Sequence, residues 1–381
     1  MASCTARMSY AVLPLALILL VRDATGSYGA AGLVSGALSA TLTVFAPARA
    51  RLLDRVGARR GLVRLAVPYV LGLGAVVGLA LTGSGTGPLV AAAAVAGAFA
   101  PPLGPVMRVL WAEILRDEPR LLQTAYALDS VAEEVVFTAG PLGAAALLAL
   151  AGPVWAMAAV AGLLAVGAAG FVTAKATAPA DPPVPGKEKS PVRPLSFPGL
   201  RTLVLSFAGV GLAVGVLDVA LPYLADRAGS AEAGGVLLAL LSAGSALGGL
   251  WYGRRAWRSP LTTRFVRLLV VFALAFAPLA FGPGPIAAGA VVFVMGLALA
   301  PLFTSAYLLL ASFTEKSGVS PTEANTWVST ANNGGVAAGA ALSGILLDPY
   351  GVTATFALAF AAVAALALVA ISRRSTLATV P

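Results

Sequence analysis

Residues 49–64 read Arg-Ala-Arg-Leu-Leu-Asp-Arg-Val-Gly-Ala-Arg-Arg-Gly-Leu-Val-Arg, and long apolar runs flank this stretch on both sides. Six of its residues are arginine and only Asp54 is acidic. Basic residues collect in the cytoplasmic connections of membrane proteins, so this pattern predicts a cytoplasmic loop between two transmembrane helices. Gly57 suits a turn between helices that needs a positive φ angle.

The composition of the chain indicates a helical protein with many membrane spans. Of its 381 residues, 59% are hydrophobic and only 11% are charged, whereas soluble domains carry about 25% charged residues. The mean hydropathy is +0.91, and glycine and proline occur inside apolar runs, which membrane helices tolerate. The short alternating segments typical of a β-barrel are not apparent in the sequence.

The scarcity of cysteine and the absence of histidine disfavour several classes of function. The sequence has one cysteine and no histidine, which removes a disulfide framework, a cysteine-based metal site and imidazole proton relays. No cofactor or metal is therefore expected. The net charge of +9 lies mostly in connections between apolar runs, where it sets topology and predicts no nucleic-acid partner.

Each transmembrane helix needs about 20 apolar residues, and the sequence predicts twelve of them. The first apolar run, which has no small-residue cleavage site after it, is interpreted as the first span rather than a signal peptide. The predicted spans cover residues 5–22, 28–49, 62–82, 88–113, 122–151, 153–174, 201–224, 232–252, 262–281, 285–313, 323–347 and 352–372.

The distribution of Lys and Arg predicts the orientation in the membrane. With the N-terminus inside, 22 of the 25 basic residues fall in cytoplasmic segments, and only Arg22 and Arg227 fall outside. Both termini are therefore expected to be cytoplasmic, in a multi-pass protein of the cell membrane.

Residues 176–200 differ in composition from the rest of the chain, since they are rich in proline and charge. Such a segment is expected to be a semi-extended, solvated cytoplasmic linker. It divides the chain into an N-terminal six-helix half, 1–175, and a C-terminal six-helix half, 201–381.

The opening stretch resembles the loop signature of the major facilitator superfamily, Gly-x-x-x-Asp-Arg-x-Gly-Arg-Arg, with Ala50 in place of the leading glycine. The matching residues, which the resemblance identifies as a cytoplasmic gate motif, are Asp54, Arg55, Gly57, Arg59 and Arg60. A degenerate copy, 249–255, follows the eighth span and has Gly253 where the acid would be.

Span five resembles actinobacterial drug-efflux members of that family. Residues 127–134 read Ala-Leu-Asp-Ser-Val-Ala-Glu-Glu, and Gly140, Pro141 and Gly143 are similar to the end of the antiporter motif, although its upstream glycines are missing. The resemblance implies an all-α fold of twelve transmembrane helices in two pseudo-symmetric halves. It also implies a monomeric transporter, and not an enzyme, that works by alternating access.

The function expected from this resemblance is proton-coupled efflux of small apolar or amphipathic molecules, with protons, substrate and the lipid bilayer as partners. The sequence contains no phosphate-binding Gly-x-x-x-x-Gly-Lys-Ser/Thr loop, so an ion gradient is the expected source of energy. A proton-coupled uptake permease, a polytopic membrane enzyme and a membrane scaffold remain as alternatives.

Four acids within the predicted spans are candidates for proton coupling: Asp129, Glu133, Glu134 and Asp218. Charge inside the membrane costs at least about 2.5–3.5 kcal/mol at a helix centre, so these acids are expected to face the protein or a cavity. Glu133 is the preferred carrier, because it shares a helix face with Asp129. Fixed structural ion pairs, with Arg108 as a partner, are the alternative.

The remaining candidates are polar or aromatic residues in or near spans. Glu113, at the end of span four, is expected to pair with Arg55 or Arg59 of the gate motif, with a solvated helix end as the alternative. A substrate cavity is predicted from Arg108, Tyr10, Asn332, Asn333 and Tyr307. Snorkelling of Arg108 and helix–helix hydrogen bonding by the two asparagines are the alternative interpretations.

Overall fold

The computed structural model describes residues 2–173, 194–229 and 233–377, and within them the chain is almost wholly helical without β-strands. Residues 176–193 of the predicted linker lie outside the described residues. The helices are α1 Ala2–Thr25, α2 Tyr28–Val44, α3 Ala46–Val56, α4 Ala58–Leu81, α5 Thr86–Ala98, α6 Leu103–Ile114, α7 Pro119–Thr173, α8 Pro198–Arg227, α9 Ala233–Arg254, α10 Leu261–Phe276, α11 Pro285–Ser317, α12 Pro321–Ser372 and α13 Arg374–Leu377.

Nine stretches within the described residues are long and apolar enough to cross a membrane, or ten if the bent pair α2–α3 counts as one span. The first parts of the two longest helices, 119–141 and 321–348, are more polar and are not among them. These two parts coincide with the predicted spans five and eleven. Within the described residues, these two parts and the ten apolar stretches together give twelve helices. The prediction of an all-α membrane fold with twelve helices is confirmed.

The predicted connection between spans two and three, residues 50–61, is shorter than expected, because it is helical except at Gly57. α3 runs to Val56 and α4 begins at Ala58, so Gly57 alone forms the connection, with φ 82° and ψ 155°. Alanine, leucine and arginine all favour helix, so the basic stretch continues both helices up to the glycine. The positive φ predicted for Gly57 is confirmed.

Two of the predicted spans are broken. Span two bends by 49° between α2 and α3 at Phe45. Span four is interrupted between α5 and α6 by residues 99–102, which include Pro101 and Pro102. Proline lacks an amide hydrogen and restricts the residue before it, so two prolines in succession stop a helix.

The connections between predicted spans five and six and between predicted spans eleven and twelve are sharp bends inside long helices. Gly152 in α7 has φ 81° and ψ 175°, and Gly351 in α12 has φ 77° and ψ 175°. This backbone region is open essentially to glycine alone. Each bend therefore needs only one glycine to separate two spans.

The chain contains two compact units. The first comprises residues 1–110 and 135–188, and the second comprises residues 111–134 and 189–381. Each has its own apolar core; Leu17, Leu62 and Val160 belong to the core of the first, and Phe207 and Phe272 to that of the second. The symmetric division into six and six spans stays a prediction.

Glycines allow the helices of the second unit to approach closely. A Cβ atom at Gly211 of α8 would collide with the carbonyl oxygen of Asn332 in α12, and one at Gly335 would collide with the carbonyl oxygen of Ala208. Small residues at helix contacts are typical of membrane proteins, where packing rather than water exclusion drives association. The reciprocal glycines hold α8 and α12 together along their length.

Candidate functional site

The carboxyl group of Glu134 makes the most distinctive polar contact inside a predicted span of the second unit. Ser245 Oγ of α9 donates a hydrogen bond of 3.0 Å to Glu134 Oε1, and Ser242 Oγ lies 3.5 Å from Oε2. Ser245 is fully buried and Glu134 is half-buried. Span five is thereby joined to span eight through a carboxylate and two hydroxyl groups that repeat at i and i+3.

The other predicted acids surround Glu134 to different degrees. Glu133 and Asp218 lie within electrostatic range of Glu134. Glu133 is half-buried, whereas the side chain of Asp218 is exposed on α8. Asp129 is buried, and both Asp129 and Glu133 take part in further polar interactions. Glu133 and Asp218 are therefore the two candidate acids close enough to interact with the charge of Glu134.

The two serine hydroxyls can form hydrogen bonds with Glu134 whether its carboxyl group is charged or neutral. A carboxylate accepts hydrogen bonds from both serine hydroxyls, whereas a neutral carboxyl can donate its own hydrogen to a serine oxygen, because a hydroxyl both donates and accepts. Burial and the neighbouring acids favour the neutral form, and hydrogen bonds from serine favour the charged one. The serines can therefore accompany Glu134 through both protonation states.

A second polar cluster joins the start of α7 to the end of α9. Gln123 Nε2 donates to the carbonyl oxygens of Tyr252 and Arg255, both at 2.9 Å, and Thr124 Oγ1 donates to the carbonyl of Gly253 at 2.8 Å. Arg264 Nη1 donates to Gln123 Oε1 at 3.0 Å and to the Tyr252 hydroxyl at 2.9 Å. These side chains satisfy carbonyl groups that a helix end leaves without partners.

The residues of the predicted gate motif lie around the Gly57 turn. Asp54 and Arg55 end α3, and Arg59 and Arg60 begin α4. The three arginines are exposed, and Asp54 is half-buried and takes part in a polar interaction.

Two predicted charged residues lie on α6. The side chain of Arg108 is 2% exposed, and its guanidinium folds back along the helix beside Gly104. Glu113 is exposed, and both residues have further polar interactions. The pairing of Glu113 with Arg55 or Arg59 stays a prediction.

Tyr10, a predicted cavity residue, lies in a polar cluster of the first unit. Its hydroxyl donates a 2.6 Å hydrogen bond to the carbonyl oxygen of Pro101, and its ring meets the edge of the Tyr69 ring with centroids 6.1 Å apart. Both tyrosines lie within electrostatic range of Arg49, which is buried. Arg49 therefore does not belong to an exposed basic loop, as its position in the sequence suggested.

The other predicted cavity residues lie in the second unit. Tyr307 is buried among aromatic rings, with centroid distances of 6.1 Å to Tyr126, 6.2 Å to Phe207 and 6.0 Å to Phe303. This packing is typical of a core residue.

The asparagine pair on α12 divides between the inside and the outside of the unit. Asn332 is half-buried, and among the described residues its Oδ1 atom finds no hydrogen-bond donor, whereas Asn333 is exposed.

The antiporter-like residues lie within α7, before its bend. A Cβ atom at Gly140 would collide with the side chain of Ala11, so this glycine allows close approach of spans five and one. Gly143 is exposed with open space around it. The side chain of Pro141 lies outside the described residues.

Sequence reasoning did not single out Ser242, Ser245 or Gln123, and it did not predict the burial of Arg49. A signal for the serines was present, since two hydroxyl residues three positions apart interrupt an otherwise apolar span and share a helix face. Gln123 and Arg49 lie near predicted span ends, where polar residues are ordinary, so the sequence around them gave no comparable signal.

Several solved structures share the fold of this chain at low sequence identity. The human organic anion transporter MFSD10 (TETRAN) is 17% identical with a TM-score of 0.70, over 97% of each chain. A bacterial homologue of the iron transporter ferroportin, in an outward-facing state with soaked iron, is 14% identical with a TM-score of 0.73, over 98% of each chain. The E. coli fucose:proton symporter FucP is 16% identical with a TM-score of 0.65, over 97% of each chain.

No curated protein sequence is significantly similar to the chain. The family model of the Major Facilitator Superfamily, however, matches residues 1–321. This match spans most of the sequence and agrees with the helical architecture and with the transporter folds it resembles. The chain therefore belongs to the Major Facilitator Superfamily.

Proposed function

We propose that the protein is a proton-coupled secondary transporter of the cell membrane that exports small apolar or amphipathic molecules in exchange for protons. The observation that carries this proposal is the contact between Glu134 and Ser245 inside the predicted membrane spans. An ionisable group at this depth is costly to keep unless it has a function or a fixed ionic partner. Glu134 has hydroxyl partners, which do not neutralise its charge.

Coupling requires a group that is neutral in one state of the carrier and charged in another. Glu134 meets this requirement, because its partners can serve both forms and its neighbours Glu133 and Asp218 oppose a further negative charge. We propose Glu134 as the main carrier, ahead of Glu133, which was preferred from the sequence. Glu133 and Asp129 then extend the proton path along span five.

The exposure of Asp218 supports the proposal of a water-filled cavity beside Glu134. Its side chain is exposed, although the helix α8 around it is mostly buried, and Val214 and Pro222 one turn away are half-buried. An aspartate facing lipid at this position would be costly, so the exposed face is better explained by an aqueous cavity. Transporter sites near the bilayer midplane commonly line such cavities.

Alternating access also requires contacts that close one side of the carrier and then release. The Gln123–Arg264–Tyr252 cluster is suited to this role at the predicted cytoplasmic end, since it consists of hydrogen bonds that water can replace. The gate motif around Asp54 is proposed to act in the same way for the other half of the molecule. Efflux rather than uptake rests on the resemblance of span five to drug exporters.

The test is transport by the purified protein in proteoliposomes. A pH gradient is imposed, and the movement of a panel of dyes and antibiotics is followed together with proton flux. The proposal predicts substrate movement against proton movement, which a proton ionophore abolishes. Substrate and proton movement in the same direction would identify an uptake permease instead, and transport indifferent to the pH gradient would contradict proton coupling.

A further inference from the structure

Arg49 is buried in the first unit where two broken spans meet. Its Nη1 atom donates a 2.8 Å hydrogen bond to the carbonyl oxygen of Gly97, and its Nη2 atom donates one of 2.5 Å to the carbonyl oxygen of Leu42. Leu42 belongs to the last turn of α2, and Gly97 to the last turn of α5. One guanidinium group therefore joins the ends of two helices that stop inside the membrane spans.

Among the described residues of the first unit, no carboxylate forms an ion pair with Arg49. In the described part of this unit the acids are Asp23 and Asp54. Asp23 is exposed and pairs with Arg22, and the hydrogen bonds of Arg49 lead to carbonyl oxygens alone. A buried cation without a counter-ion is expensive. Here the C-terminal ends of two helices supply partial negative charge instead.

The surrounding residues are shaped for this contact. A Cβ atom at Gly97 would collide with the carbonyl oxygen of Leu38 and the hydroxyl of Thr41, so the glycine allows α5 to meet the end of α2. The Tyr10 hydroxyl donates to the carbonyl of Pro101, within the break of span four. Carbonyl oxygens at broken helices commonly hold free cations in transporters.

We propose that Arg49 is a tethered cation, which occupies the place of a bound ion and holds the broken second and fourth spans together as one moving part. It is a positioning residue, since its guanidinium bonds to helix ends. The proposal deepens the proposed function, because the two spans must keep their mutual position while the carrier changes state. Removing the side chain should leave a carbonyl-lined site that a free guanidinium ion can fill.

The test compares Arg49→Ala with the wild-type protein in thermal unfolding and in transport. Arg49→Ala should lower the unfolding midpoint and slow transport by at least about tenfold. Millimolar guanidinium chloride should restore part of both, whereas equal urea, which has the same planar shape without charge, should not. Arg64→Met removes an exposed arginine from α4 and serves as the matched control.

Wild-type stability and transport in Arg49→Ala would overturn the proposal, as would equal rescue by urea or no rescue by guanidinium. If the alanine variant does not accumulate, Arg49→Lys is measured in its place. Lysine keeps the charge but lacks the planar fork that reaches two carbonyls, so its unfolding midpoint should fall below that of the wild type. An unchanged midpoint would overturn the proposal, and this thermal measurement does not depend on the transported substrate.

Discussion

The hydroxyl group of Ser245 lies 3.0 Å from the carboxyl oxygen Oε1 of Glu134 and donates a hydrogen bond to it. The two residues belong to different spans and are 111 positions apart in the chain. If one of these helices moves relative to the other, the hydrogen bond must break or the two helices must move together. The protonation state of the carboxyl group is therefore linked to the packing of spans five and eight.

Glu134→Gln should reduce transport driven by a pH gradient by at least about tenfold, while substrate exchange without a gradient is retained. Glutamine has the shape of glutamate and can still bond to Ser245, but it cannot ionise. Proteoliposomes allow both activities to be measured on one preparation. The matched control is Asp226→Asn, an exposed acid near the end of α8 that is expected to have no effect.

Glu133→Gln separates the two glutamates in the same assay. The structure-based proposal expects a milder loss than in Glu134→Gln, whereas the sequence-based preference expects the reverse. Normal gradient-driven transport in both single variants and in the double variant would move the assignment to Asp218.

Ser245→Ala should slow gradient-driven transport, because it removes a donor to a charged group, and such bonds contribute about 1.5–3 kcal/mol. Ser242→Ala is the control, since its 3.5 Å distance is at the limit of hydrogen bonding and a smaller effect is expected. The double variant with Glu134→Gln should be no slower than Glu134→Gln alone. Additive losses would show that Ser245 acts independently of the carboxyl group.

Gly335→Ala should destabilise the protein by about 1–3 kcal/mol through overpacking, because the new methyl group meets the backbone of Ala208 and Leu212. Its neighbour Gly334 has nothing within 4 Å of the corresponding position, so Gly334→Ala should be neutral or stabilising by up to about 1 kcal/mol. Thermal unfolding in detergent distinguishes the two. Equal midpoints would contradict the close contact between α8 and α12.

Gly57→Ala should lower the free energy of unfolding by about 1–3 kcal/mol, because φ 82° with ψ 155° is a region essentially limited to glycine. Gly57→Asn should be equally harmful, since asparagine favours the left-handed helical region near ψ 47° rather than this one. The amount of folded protein in membranes and its unfolding midpoint provide the measurement. Gly74→Ala, within α4 and with open space around it, is the control.

Asp54→Asn should slow transport while the protein still inserts into the membrane. The reason is that the proposed gate depends on the negative charge of Asp54, which asparagine removes without changing the shape of the side chain. Initial transport rates, normalised to the amount of inserted protein, test this expectation. A normal rate would limit residues 54–60 to setting the topology.

The sequence by itself determined the class of the fold. Apolar runs long enough to span the bilayer and the uneven distribution of Lys and Arg are local properties of the sequence, and the bilayer imposes both on helical membrane proteins. The positive φ of Gly57 was also predictable, because a tight turn between two helices favours a residue without a Cβ atom. The short motif around Gly57, residues 54–60, also indicated the family.

The tertiary structure alone decided which polar groups meet. The contact of Ser245 with Glu134 depends on which faces of two distant helices pack together, and sequence spacing does not give that register. The burial of Arg49 depends on breaks in two spans that lie close together only after folding. Its hydrogen-bond acceptors are backbone carbonyl groups, which every residue possesses, so no pattern of side chains could reveal them.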